Sequence, residues 1–112
     1  MEHFAINLSK LKTIKKTSIN IKNRPILIAY TENGVFAIKD KCPHMGSPLS
    51  TGTLDKGIIT CKHHGLPISV ETGKVTNIDK ANFLKLDEYS LDVKTYKTII
   101  KNDEVYIEIW WR

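Results

Sequence analysis

Hydrophobic residues recur with a period of two in several short stretches of this chain. Ile19 and Ile21 alternate with Ser18, Asn20 and Lys22, and near the C-terminus Val105, Ile107, Ile109 and Trp111 alternate with Tyr106, Glu108 and Trp110. That spacing assigns successive side chains to opposite faces of an extended strand. Ile26-Leu27-Ile28-Ala29-Tyr30 is a run rich in β formers, and Glu32-Asn33-Gly34 separates it from Val35-Phe36-Ala37-Ile38, a strong short-range hairpin signal. Residues 4–38 therefore read as strands, without helix signals. Gly57-Ile58-Ile59-Thr60 predicts a further short strand. Ile68-Ser69-Val70 leads through Glu71-Thr72-Gly73 to Lys74-Val75 as another hairpin, and Tyr96 to Lys101 runs to a turn at Asn102-Asp103. Residues 76–92 read as an irregular loop, with one helical turn as the alternative.

Between Lys39 and Thr53 the strand pattern breaks at Pro43, Gly46, Pro48 and Gly52, which is loop chemistry. Both cysteines and three of the four histidines fall between residues 42 and 64. Cys42-Pro43-His44-Met45-Gly46 and Cys61-Lys62-His63-His64-Gly65 are near copies, each closed by a glycine where the backbone passes close to a metal or takes positive φ. A C-x-H…C-x-x-H arrangement offers two soft thiolates and two borderline imidazoles. Such a set can be split between two irons or wrapped around one tetrahedral zinc. No repeat, low-complexity tract or linker interrupts the chain. The expectation is one all-β domain over residues 1–112, an antiparallel sandwich or barrel, with a ligand-bearing subdomain of two hairpin loops inserted at about residues 40–75.

At these residues the chain resembles the Rieske [2Fe–2S] family, whose C-x-H and C-x-x-H loops hold one cluster. Sixteen residues separate His44 from Cys61. The resemblance extends through Pro43-His44-Met45-Gly46-Ser47-Pro48-Leu49 and Gly52-Thr53-Leu54, which look like the first loop of small bacterial Rieske ferredoxins. It implies a Rieske-like fold and one [2Fe–2S] cluster per chain bound by Cys42, His44, Cys61 and His64. The cysteines would hold one iron and the histidines the other, which would then take the electron. His63 is expected to stand beside the ligand His64. At the positions where high-potential members carry extra cysteines, a serine and a tyrosine, this chain has Ser47, His63, Leu66 and Ile68. Leu66 and Ile68 cannot donate to sulfur, so a potential toward the low end of the Rieske interval is implied, which begins at roughly −150 mV. The family often places a proline-containing segment over the cluster, yet no proline follows Pro67.

Composition narrows the classes further. The net charge of +5 is spread along the chain with only Lys15-Lys16 as a doublet, and there is no helix-turn-helix or aromatic-basic pattern. It points to solubility or an acidic protein partner rather than nucleic acid. Both cysteines are claimed by the motif, which fits a reducing compartment. The N-terminus lacks a signal-peptide pattern, and no apolar run approaches the roughly 18 residues of a membrane span. A cytoplasmic protein without membrane contact is expected. His3 reads as a surface residue, and Trp110 and Trp111 as core cover or a contact patch. No acid pair around Asp87, Glu88 and Asp92 and no phosphate loop suggests a substrate-converting site, so the chain reads as an electron carrier rather than a catalyst by itself.

Three functions remain in view. The first is a ferredoxin passing single electrons from a reductase to a terminal oxygenase or other acceptor. The second is a small iron–sulfur subunit of a larger oxidoreductase, such as a nitrite-reductase-like complex. The third is a zinc-stabilised interaction module.

Overall fold

The computed structural model describes residues 1–42, 46–62, 65–76 and 93–109. Among these residues nine strands are paired antiparallel: β1 (Glu2–Asn7), β2 (Lys16–Ile21), β3 (Arg24–Thr31), β4 (Gly34–Lys39), β5 (Thr53–Asp55), β6 (Ile58–Thr60), β7 (Pro67–Ser69), β8 (Thr95–Lys101) and β9 (Glu104–Glu108). Six of them form one sheet in the order β1-β9-β8-β4-β3-β2, and β5-β6-β7 form a smaller one. The large sheet is nearly closed like a barrel, so the expected all-β architecture with an inserted small subdomain is present.

The apolar run in β3 is buried on both of its faces. Leu27 and Ala29, with Ile38 of β4, belong to the core cluster that also holds Ile59, Leu66, Ile68 and both cysteines. Ile26 and Ile28, with Val35 and Ala37, belong to a second cluster with Val105, Ile107 and Ile109. A strand covered on both sides has no reason to alternate polar with apolar residues.

Turns set the register. Ile21 pairs with Arg24, Asp55 with Ile58, and Lys101 with Glu104, leaving the two-residue loops Lys22-Asn23, Lys56-Gly57 and Asn102-Asp103. All six loop residues have positive φ, from +50° to +78°, the type I′ geometry that matches strand twist. At the β3–β4 hairpin the loop is Glu32-Asn33, and Gly34 is already paired with Thr31. Its φ of +128° is open to glycine and lets β4 begin at once.

Two readings from sequence need correction. Leu8–Ile14 is an α-helix, α1, where only strand was expected. At seven residues it is too short to persist alone. Tertiary contacts hold it: Leu11 is fully buried, Leu8 N–H donates to the Asp103 carbonyl (2.7 Å), and Ser9 Oγ donates to the Asp103 carboxylate (2.8 Å). His3 is not an ordinary surface residue either. It pairs with Ile107 across β1–β9, is half-buried, and its Nε2 is enclosed without a hydrogen-bond partner. Most of 76–92, as well as Trp110 and Trp111, lies outside the described residues, so the loop reading and the missing proline cover concern residues beyond them. No helix among the described residues is long and apolar enough to cross a membrane.

Candidate metal centre

The two cysteine loops share one backbone pattern. The Cys42 N–H donates to the Ser47 carbonyl (2.7 Å), and the Gly46 N–H donates back to the Cys42 carbonyl (2.7 Å). In the second loop the Cys61 N–H donates to Leu66 (3.0 Å) and the Gly65 N–H to Cys61 (2.9 Å). The closing glycines have φ of +73° and +67°, in the left-handed region where a side chain would be strained. Each loop is therefore closed back onto its own cysteine by this pair of backbone hydrogen bonds. The second loop closes the hairpin between β6 and β7, whereas the first carries the chain from β4 of the large sheet to β5 of the small one.

Gly52 ties the first loop to the second. Loop one continues into a 3-10 turn at Leu49–Thr51, and a Cβ on the following Gly52 would lie 1.9 Å from the Thr60 carbonyl oxygen. Only glycine allows that approach, and Thr60 immediately precedes Cys61. Asp40 performs a similar task at the other end of loop one. It is 4% exposed, and its carboxylate accepts from Ser18 Oγ (2.6 Å), the Ser50 N–H (2.7 Å) and Ser50 Oγ (2.7 Å). It thus pins β2 and the 3-10 turn to the residue two before Cys42. Neither residue was singled out from sequence. The available signal for Asp40 was weak, an acid between Lys39 and Lys41 at the end of an apolar strand.

Both thiols are 2% exposed and free of any disulfide. They share an apolar cluster with Leu49, Leu66, Ile68 and Val93. Two buried thiols outside any disulfide, at the same point of twin loops and each with a histidine two or three residues on in sequence, are a donor set suited to a mixed thiolate–imidazole centre. His44, His63 and His64 lie outside the described residues. Leu66 and Ile68 are fully buried in the cysteines' own cluster, so these two positions supply packing and no hydroxyl.

A family profile described as the Rieske [2Fe-2S] domain matches residues 2–97. The chain belongs to the Rieske [2Fe–2S] family. Its cofactor is accordingly a [2Fe–2S] cluster, and the paired loops around Cys42 and Cys61 fit that group. Among curated Rieske relatives, human apoptosis-inducing factor 3 is 34% identical over 77 residues, 68% of this chain and 11% of that protein. The 3-phenylpropionate/cinnamic acid dioxygenase ferredoxin subunit of Photorhabdus laumondii is 26% identical over 85 residues, covering 75% of this chain and 72% of the subunit. The ferredoxin of carbazole 1,9a-dioxygenase from Nocardioides aromaticivorans superposes with a TM-score of 0.80 at 20% identity over 96% of both chains, a likeness of fold. This chain thus spans about a ninth of the first curated relatives it matches but most of the small ferredoxin subunit.

Proposed function

We propose that this protein is an electron carrier that receives single electrons from a reductase and delivers them to a terminal oxygenase. When bound, the [2Fe–2S] cluster supplies reversible one-electron chemistry. In this reading Cys42, His44, Cys61 and His64 bind it, Asp40 and Gly52 hold the two loops in register, and Leu66 and Ile68 exclude water from the thiolate side. The chain acts as one domain over residues 1–112 and works in the cytoplasm. The observation that carries the reading is the pair of twin loops with buried, unlinked thiols in a chain matching most of a dioxygenase ferredoxin subunit. A neighbour of similar fold is a carbazole 1,9a-dioxygenase ferredoxin seen in complex with its reduced oxygenase, which supports the choice of acceptor class.

The test begins with metal and sulfide analysis and an EPR spectrum of anaerobically purified protein, followed by oxidation of the reduced form with cytochrome c. Two irons per chain and one electron delivered per chain are expected. A colourless protein containing zinc would sink the proposal in favour of a zinc-stabilised module.

A second reading is favoured by a specific observation: the same fold forms about one third of a larger chain, dicamba monooxygenase, with 26% identity. The chain would then serve as the iron–sulfur part of a larger oxidoreductase, and co-purification of a flavoprotein or haem subunit from the native source decides for it.

A further inference from the structure

The backbone leaving β4 toward Cys42 is extended, and its side chains alternate. Asp40 is buried against Ser18 and Ser50, whereas Lys39 and Lys41, two residues apart on the opposite side, are exposed. Two backbone bonds fix what lies beside them. The Lys39 N–H donates to the Lys94 carbonyl (2.8 Å), and the Asp40 N–H donates to the Pro25 carbonyl (2.9 Å). Lys94 therefore flanks this stretch on one side and Arg24 on the other. Together with Tyr96, the four cations line a groove of about 250 Å³.

Among the described residues the lining includes no acidic side chain, and none of them brings a carboxylate within ion-pair distance of Lys39, Lys41 or Lys94. The Lys94 ammonium stands 5.3 Å from the centre of the Tyr96 ring. Burial pushes the Tyr96 hydroxyl above its ordinary value, against the pull of Arg24, so it stays neutral near pH 7 and does not offset the cations. Like charges gathered this closely repel, and the field they create favours an anionic occupant. The groove is smaller than the roughly 300–1,000 Å³ of ordinary small-molecule sites and cationic rather than apolar. Its size and charge suit the carboxylate side chains of a protein surface.

We propose that this groove is the docking site for an acidic patch on the redox partner. Carboxylates held by Lys39, Lys41, Lys94 and Arg24 would bring the partner against the loop that begins at Cys42, one residue from Lys41. The partner's identity rests on the electron-carrier reading, but the preference for clustered carboxylates is measured without it.

The probe is a fluorescently labelled short polyglutamate peptide, titrated by anisotropy into the cluster-loaded protein at low and at physiological ionic strength. Binding that weakens with salt is expected. Lys39→Glu/Lys41→Glu/Lys94→Glu should weaken it by about tenfold or more, since three exposed charge contacts are reversed. Lys39→Gln/Lys94→Gln leaves the neighbour of Cys42 untouched and should weaken it to a smaller extent. Lys10→Glu/Lys12→Glu serves as the control. It lies on α1, where the Lys12 ammonium sits by the ring of Tyr30, at the far end of β3 from Arg24, and should leave the affinity unchanged. Equal affinity in the triple variant and wild type would overturn the proposal. So would a loss in the α1 control as large as in the triple variant, or competition by inorganic phosphate as effective as unlabelled peptide, which would make the groove a simple anion pocket. Iron content and the EPR signal are recorded on the same samples. Their absence from the wild type would sink the electron-carrier reading, while the peptide titration would still decide the groove.

Discussion

Asp40→Ala should destabilise the protein by about 3 kcal/mol and lower its iron content. The carboxylate accepts three hydrogen bonds, from Ser18 Oγ at 2.6 Å and from the Ser50 N–H and Oγ at 2.7 Å each, and is 4% exposed. Hydrogen bonds to a charged group contribute about 1.5–3 kcal/mol each, and a buried N–H left without a partner costs about 1–3 kcal/mol. The sum is discounted because Ser18 is exposed and can return its hydroxyl to water. Asp40→Asn keeps the volume and one acceptor, so a loss of about 1 kcal/mol is expected. Ser50→Ala removes one of the three donors and should couple to Asp40→Ala by about 1 kcal/mol in a double-mutant cycle. The assay is anaerobic urea unfolding followed by circular dichroism and by cluster absorption, with coincident transitions required before a free energy is read. With a slope of about 2 kcal/mol/M, the midpoint of Asp40→Ala should fall by about 1.5 M. A variant within about 0.5 kcal/mol of wild type, the range of ordinary surface substitutions, would refute the clamp.

Cys42→Ser and Cys61→Ser should each abolish cluster assembly, because under the proposed ligand set the metal would tie the two loops together; retention of two irons with an unchanged visible spectrum would remove that cysteine from the ligand set. His64→Ala should erase the Rieske EPR signal while His63→Ala keeps it. His63 occupies the position in its loop that His44 occupies in the other, two residues after the cysteine, so the reverse outcome would move the ligand to His63. Leu66→Ser with Ile68→Tyr should raise the reduction potential, since added hydroxyl donors stabilise the extra negative charge of the reduced state; a potential that fell or stayed put by protein-film voltammetry, with the cluster intact, would show that these positions do not face the sulfurs. The hydrogen bond from Lys101, 2.8 Å long, holds the Glu2 carboxyl below its ordinary value of 4.5. Its contribution to stability is therefore present above pH 4.5 and lost as pH falls through the lowered value, and an NMR titration should show the Glu2 midpoint returning toward 4.5 in Lys101→Met.

Strand assignments were legible where one face is wet. Val105, Ile107 and Ile109 are buried and alternate with half-buried Tyr106 and Glu108, so period two in sequence is period two in burial. Type I′ turns were legible only in part. Asn102-Asp103 announced itself by composition, but Lys22-Asn23 takes positive φ at a lysine, which propensity alone disfavours and the pairing of Ile21 with Arg24 imposes. Helix α1 was missed because seven residues carry too little periodic signal, and the burial of Leu11 that holds the helix in place comes from residues distant in the chain.

Loop closure was written locally, since each cysteine and its closing glycine stand at a fixed offset within one short segment, and the donor set proposed for the centre rests on the same two segments. What brings those loops into one core is not local. Gly52 against Thr60, and Asp40 against Ser18 and Ser50, join segments separated by 8 to 22 positions through close approach and hydrogen bonds. The basic groove likewise gathers Arg24, Lys39, Lys41 and Lys94 from three separate stretches of chain. Such contacts depend on sheet order and register, which sum many weak pairings over the whole molecule. A sequence pattern specifies which face each residue takes, and the tertiary structure decides which faces meet.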